Sequence, residues 1–195
     1  MKVIILRKTG RSRESERSGT PNRAATARER GLTYLITFAC YGARLHGDGS
    51  GSVDRHHNLV GSPMLEPDAD RVMAERREML QDPYILDHEA RPVVLTAIQR
   101  HCAYRGWNLL VAHVRSNHVH IIVEAETRPE RVMNEFKSYA SRELNQLEIE
   151  GSNRKRWARH GSTRWLWKDE DVRNALRYVI DGQGEPMSLF VSDEL

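Results

Sequence analysis

From residue 32 onward, the order of hydrophobic and polar positions predicts an alternation of strands and helices. Runs rich in β-branched and aromatic residues predict strands. Apolar residues spaced three and four apart predict amphipathic helices. The predicted elements are, in order, strand 34–41, helices 67–80 and 92–106, strands 111–114 and 118–124, helix 129–147, strand 164–167 and helix 169–180.

The order of these elements predicts the fold class. A strand, a helix, two strands joined by the tight turn 115–117, a helix and a further strand form a split βαβ unit. We therefore predict an α+β, ferredoxin-like (split βαβ) sandwich with a central antiparallel sheet and helices packed mainly on one face. The domain is expected to span residues 32–185, between a basic, disordered arm at 1–31 and a tail at 186–195.

The formal net charge of +3 conceals two basic segments. Residues 1–31 carry nine basic and three acidic side chains, and residues 151–168 carry six basic and no acidic ones. Such local patches matter more for phosphate binding than the total charge, because screening limits attraction to about 8–10 Å. No apolar run approaches the roughly 18 residues that a membrane span needs. Cys40 and Cys102 lack motif spacing, so we expect reduced, packed cysteines in a cytoplasmic protein.

The strand at 118–124 begins with two histidines on one face. Side chains alternate along a strand, so His118 and His120 point the same way and Val119 points the other way. Neighbouring imidazoles repel each other when protonated, whereas together they can bind a metal ion. With nine histidines in the chain, such a pair also arises by chance, and an ordinary structural pair stays an alternative.

The helix at 129–147 carries a second group of polar residues. Tyr139 and Glu143 are four residues apart and lie at one edge of the predicted apolar face, which is centred near Ala140. If this helix packs on the histidine face of the sheet, a phenol and a carboxylate reach the two imidazoles. Taken alone, Tyr139 is equally typical of an amphipathic boundary residue, and Glu143 of a solvated carboxylate.

These residues together resemble a known family. The His-Val-His motif at 118–120, followed by Tyr139, is similar to that of the HUH single-tyrosine transposases of bacterial insertion sequences, most closely the REP-associated tyrosine transposases. Strand 34–38 and the Trp-Leu-Trp sequence at 165–167 fit the same family. The resemblance covers residues 32–185.

The resemblance implies a metal-dependent single-stranded DNA endonuclease and strand transferase. His118, His120 and Glu143 would hold Mg²⁺ or Mn²⁺, and Tyr139 would attack the scissile phosphate. The products of that step are a 5′-phosphotyrosine link and a free 3′-OH, and a later 3′-OH attack rejoins strands. The family commonly has an amide side chain where this sequence has Glu143, so the chain departs from the pattern at that position.

The basic segment indicates a partner. Its cations, interleaved with aromatic residues, could follow a phosphate backbone while indoles stack on bases. The resemblance implies that this partner is hairpin DNA from palindromic repeat elements, in the cytoplasm and associated with the nucleoid. A solvated basic loop, with tryptophans in the core, is the alternative. The predicted nucleic-acid-binding residues are Arg154, Lys155, Arg156, Arg159 and Arg164.

Two other functions stay open from the sequence. The first is a catalytically silent module, derived from a transposase, that binds hairpin DNA or RNA. The second is a metallohydrolase that uses His118 and His120 with an acidic residue to activate water. A monomer and a homodimer are both compatible with the sequence, and no membrane partner is expected.

Overall fold

The structure is a computed structural model that describes residues 32–43, 45, 68–147, 153–193 and 195. Within these residues the chain forms five strands and four helices. The elements are β1 (Thr33–Cys40), α1 (Ala69–Glu78), α2 (Ala90–Arg105), β2 (Asn108–Val114), β3 (His118–Glu124), α3 (Pro129–Gln146), β4 (Trp157–Trp165), α4 (Asp169–Ile180) and β5 (Ser188–Val191). The predicted arm at 1–31 lies outside the described residues, as do most residues between the first strand and the first helix.

The strands form one antiparallel sheet in the order β4-β1-β3-β2-β5. The order of the first four strands, β4-β1-β3-β2, with α2 and α3 as the connecting helices, is that of the split βαβ unit. The predicted fold class is therefore confirmed. Residues 188–191 add a fifth strand beside β2, and the sheet therefore continues past the domain boundary expected at residue 185. The fourth strand is also longer than predicted and includes part of the basic segment.

The sheet is buried on both faces. On one face α2 and α3 cover the larger core, which contains Val119, Ile121 and both cysteines. On the other face α4 covers a smaller core, in which Ile122 meets Ala175 and Val179. Both cysteines are buried and free, as expected. No helix among the described residues is long and apolar enough to cross a bilayer.

Local sequence explains where the helices that border the site begin and end. Gly106 ends α2 in the left-handed conformation (φ 66°), which glycine adopts without steric cost. Pro129 occupies the first turn of α3, where its missing N–H costs no hydrogen bond. Three acidic residues lie in the first turn of α4, where their negative charges interact favourably with the positive end of the helix dipole.

Candidate functional site

Two histidine rings of β3 lie side by side on the α4 face of the sheet. The centroids of the His118 and His120 rings are 4.7 Å apart, with their planes at 75°. Alternation along β3 places both rings on the side of Ile122, whereas Val119 and Ile121 face α2 and α3. The prediction that these two histidines share one face is therefore confirmed.

Each of these rings has a hydrogen-bond partner at Nδ1. The Nδ1 of His118 lies 2.7 Å from the Oδ1 of Asn117, and that of His120 lies 2.7 Å from the hydroxyl of Thr37. Such partners orient an imidazole, and a metal ion would be held through the other nitrogen, Nε2, in the tautomer that leaves Nε2 unprotonated. The Thr37 hydroxyl can form a hydrogen bond with either tautomer of His120, because a hydroxyl both donates and accepts.

The segment that ends α4 brings a phenol and an amide to these rings. The ring of Tyr178 lies 5.3 Å from that of His120 and is 48% exposed. Gln183 follows in the turn after α4, and its Oε1 accepts a hydrogen bond from the Nε2 of His120 at 3.1 Å. The amide nitrogen of Gln183 donates to the carbonyl of Tyr178 at 3.1 Å, which orients the amide oxygen towards the ring. Two imidazoles, an amide oxygen and a phenol therefore converge.

This donor set fits a divalent cation, which would replace the hydrogen bond between the Nε2 of His120 and the Oε1 of Gln183. Two imidazole nitrogens and one amide oxygen leave coordination positions open, as sites for Mg²⁺ or Mn²⁺ do when phosphate oxygens complete the shell. No cluster of three or more His, Cys, Asp or Glu side chains suited to a metal occurs in the part of the chain that the structure describes. Among the described residues, the amide oxygen of Gln183 is the donor that lies against the Nε2 of His120.

The predicted partners of the histidine pair lie on the opposite side of the sheet. Tyr139 of α3 stacks on His101 of α2, with ring centroids 4.0 Å apart, and Arg142 lies over its ring. Glu143 lies 3.9 Å from Arg100. The expectation that Tyr139 and Glu143 reach His118 and His120 is therefore wrong. The physical reason is that α3 packs on the other face of the sheet, where β3 presents Val119, Ile121 and Val123.

The first three residues of the predicted nucleic-acid-binding set make contacts within the protein. Arg156 is only 4% exposed, lies over the ring of Tyr84 and donates to Asn145. Arg154 also lies over Tyr84 and donates to the carbonyl of Pro83, and Lys155 lies over the ring of Tyr41. Burial removes Arg156 from contact with an external ligand. Arg159 and Arg164 are exposed on β4, where they remain predicted DNA contacts.

A second polar surface, the arginine groove, lies between α2 and α3. It is a cavity of about 580 Å³ lined by His101, Tyr104, Arg105, Arg131, Asn134, Glu135, Ser138, Tyr139 and Arg142. Glu135 lies at its centre and contacts His101 at 2.8 Å, Arg131 at 3.0 Å and Arg105 at 3.4 Å. Burial alone would raise the pKa of Glu135, but these hydrogen bonds and charges outweigh it and lower the pKa. The groove therefore keeps an ionised carboxylate among three arginines.

Sequence reasoning missed Tyr178 and Gln183. The available signal was weak, because a tyrosine at the edge of an amphipathic helix, with a polar residue about one turn later, describes both Tyr139 with Glu143 and Tyr178 with Gln183. The contact between Gln183 and His120 depends on tertiary structure and has no counterpart in residue spacing.

The fold and the site define an α+β protein with an antiparallel sheet on which paired histidines, an amide and a tyrosine lie together. The sequence model of the family described as "Transposase IS200 like" matches residues 72–170, slightly more than half of the chain. The chain belongs to this family, which confirms the resemblance seen in the sequence.

Solved structures also show similarity to this chain. A REP-associated tyrosine transposase bound to a REP hairpin matches with a TM-score of 0.42 and 12% sequence identity. The similar region covers 77% of this chain and 65% of that one. No curated protein matches the sequence significantly.

Proposed function

We propose that the protein is a metal-dependent endonuclease and strand transferase for single-stranded DNA, with Tyr178 as its nucleophile. The observation that carries the proposal is the convergence of Tyr178 and Gln183 on His120. Membership of the IS200-like transposase family supports the reaction class. Tyr178 replaces Tyr139 in this role because its ring is beside the histidine pair and is half exposed to an incoming strand.

The proposed reaction is a transesterification at phosphorus. The phenol oxygen of Tyr178 forms a bond to the scissile phosphorus as its proton leaves to solvent. The bond from phosphorus to the 3′ oxygen breaks, and this oxygen takes up a proton from solvent. The products are a 5′-phosphotyrosine link and a strand with a free 3′-OH. Phenolate is a better leaving group than a sugar alkoxide, so a later 3′-OH attack can rejoin the strands.

His118, His120 and Gln183 are the residues that would hold Mg²⁺ or Mn²⁺. When bound there, the cation would polarise the scissile phosphate and offset the charge that develops on it. The contribution of the chain is to fix these donors: Asn117 and Thr37 orient the two rings, and the carbonyl of Tyr178 orients the amide of Gln183.

The proposed DNA contacts are on the arginine groove and the exposed edge of β4. Arg105, Arg131 and Arg142 can bind phosphate oxygens, while the exposed ring of Tyr104 can stack on an unpaired base. Arg159 and Arg164 extend the cationic surface along β4. A hairpin with a single-stranded flank is the partner that combines phosphates with unpaired bases, and a palindromic repeat element would supply it.

A covalent adduct assay tests the proposal. The purified protein is incubated with Mn²⁺ and a labelled oligonucleotide that forms a hairpin with a single-stranded flank, and denaturing electrophoresis then detects protein bound to DNA. We expect an adduct with the wild type and with Tyr139→Phe, and none with Tyr178→Phe. Tyr139→Phe is the matched control because it removes the same hydroxyl on the opposite face of the sheet.

Each other outcome identifies a different function. Loss of the adduct in Tyr139→Phe but not in Tyr178→Phe would identify Tyr139 as the nucleophile. Hairpin binding without any adduct from the wild type would indicate a catalytically silent binding module. Strand cleavage that persists in Tyr178→Phe would indicate a metal-activated water.

A further inference from the structure

His113 is a buried histidine that the proposed reaction does not use. It lies on β2 directly opposite His120 in the strand register, and its side chain is fully buried. A buried imidazole needs partners for both nitrogens, because an unpaired polar atom in the core is costly. The partners of His113 therefore indicate what the ring does.

Both partners of His113 belong to the segment that carries the candidate site residues. The Nδ1–H of His113 donates to the carbonyl of Val179 at 2.9 Å, and its Nε2 accepts from the backbone N–H of Met187 at 3.2 Å. Val179 follows Tyr178 directly, and Met187 lies four residues after Gln183. One ring on the sheet thus joins the last turn of α4 to the start of β5, with Gln183 in the segment between.

The two bonds require the neutral imidazole with its proton on Nδ1, since an imidazolium has no acceptor nitrogen. Burial favours this neutral form and lowers the pKa of His113, and the charge of Arg115 acts in the same direction; the bond to Val179 opposes them without reversing the shift. Arg115 also donates to the carbonyl of Glu185, so β2 and the turn after it contact the same segment at three points.

We propose that His113 is a positioning residue for strand cleavage: its ring, bonded at both ends of segment 179–187, holds Tyr178 and Gln183 against His120. This inference rests on the proposed function of Tyr178 and Gln183. Displacement of a reacting group by about 1 Å can cost on the order of 100-fold in rate, so a bond adjacent to the nucleophile can control the reaction without touching the DNA.

The test compares His113→Leu with Val94→Ala, a substitution in the core on the opposite side of the sheet. Four quantities are measured for each: the single-turnover rate of adduct formation, DNA affinity, melting temperature, and amide hydrogen exchange over residues 178–187. We expect His113→Leu to slow the adduct step by roughly 10- to 100-fold. We also expect it to leave DNA affinity unchanged and to accelerate exchange in 178–187. Val94→Ala should lower the melting temperature with neither of the other effects.

Two conservative variants separate positioning from general packing. His113→Asn can place an amide N–H near the position of Nδ1 and restore the bond to Val179. His113→Gln can place a carbonyl near Nε2 and restore the bond to Met187. We expect each variant to recover part of the adduct rate lost in His113→Leu and part of the exchange protection.

Several results would overturn the inference. One is an adduct rate in His113→Leu that matches Val94→Ala at equal melting temperature. Another is unchanged exchange over residues 178–187, which decides the question even if the wild type forms no adduct. An adduct absent from the wild type would refute the proposed function, whereas a normal adduct in both wild type and His113→Leu would refute only the role of His113.

Discussion

At the scale of single residues, the candidate metal site depends on what contacts the Nδ1 of each histidine, the nitrogen that would not bind the metal ion. Thr37 and Asn117 each contact an Nδ1 at 2.7 Å, which restricts ring rotation. Partners of this kind commonly change metal affinity or activity by about 10- to 100-fold when they are removed. Thr37 is the more informative of the two, because it lies on β1, which carries none of the proposed ligands.

Thr37→Val should weaken Mn²⁺ binding by roughly 10-fold or more without loss of the fold, because valine keeps the shape of threonine and removes only the hydroxyl. The measurement is a titration of Mn²⁺ by calorimetry or electron paramagnetic resonance. Thr163→Val is the matched control, since the Thr163 hydroxyl bonds Glu130 and lies away from the histidines. Equal Mn²⁺ affinity in Thr37→Val and the wild type would show that Thr37 does not orient His120 for a metal.

The two cysteines give a prediction about the core. Burial raises the pKa of Cys40 and of Cys102 to about 12, so neither forms a thiolate near neutral pH in the folded protein. At pH 8 a disulfide reagent should therefore label neither cysteine in the native state and both after denaturation. Because the folded-state pKa is raised, the free energy of unfolding should also fall as pH rises from about 9 towards 12. Rapid labelling of the native protein would contradict the burial of these thiols.

At the scale of elements, the sequence predicts the helices and strands but not which helix covers which face. Periodicity placed α3 and α4 nearly at their observed bounds, and strand alternation placed His118 and His120 together. The missing information is which helix faces them, because β3 is buried on both sides and its hydrophobicity does not distinguish the two. Spacing along α3 and the family resemblance indicated Tyr139, whereas tertiary packing brings Tyr178 beside the histidines.

The unequal burial of α2, α3 and α4, the three helices that cover the sheet, predicts which of these three opens first. Among the residues that the structure describes, α4 buries only Ala175 and Val179, whereas α2 buries six residues and α3 seven. Local stability follows buried contacts, so amides of α4 should exchange with solvent before those of α2 and α3. Hydrogen exchange measured by mass spectrometry on native protein provides the comparison. Protection of α4 equal to that of α2 would indicate that the contacts of His113 with segment 179–187 secure the helix more strongly than burial suggests.

At the scale of the whole molecule, the sheet separates the proposed chemistry from the arginine groove. This groove was not predictable from charge runs, because its arginines come from two helices and surround the partly buried carboxylate of Glu135. The basic segment that the sequence did suggest is partly used inside the protein, where Arg154 and Arg156 pack on Tyr84. A run of like charges therefore shows less about a binding surface than the spatial arrangement of scattered charges does.

The separation of the two surfaces makes DNA affinity and metal affinity independently variable. Arg142→Gln and Arg105→Gln each remove one cation from the arginine groove, and each should weaken binding of a labelled hairpin. Each lost phosphate contact should reduce the slope of log affinity against log salt by about 0.7–0.9. Mn²⁺ affinity should stay unchanged, because the histidines lie on the other face of the sheet. Arg77→Gln, on an exposed position of α1, makes the same change in net charge and should leave the slope intact. If Arg77→Gln weakens hairpin binding as much as the groove variants do, the DNA responds to overall charge and the arginine groove is not its binding surface.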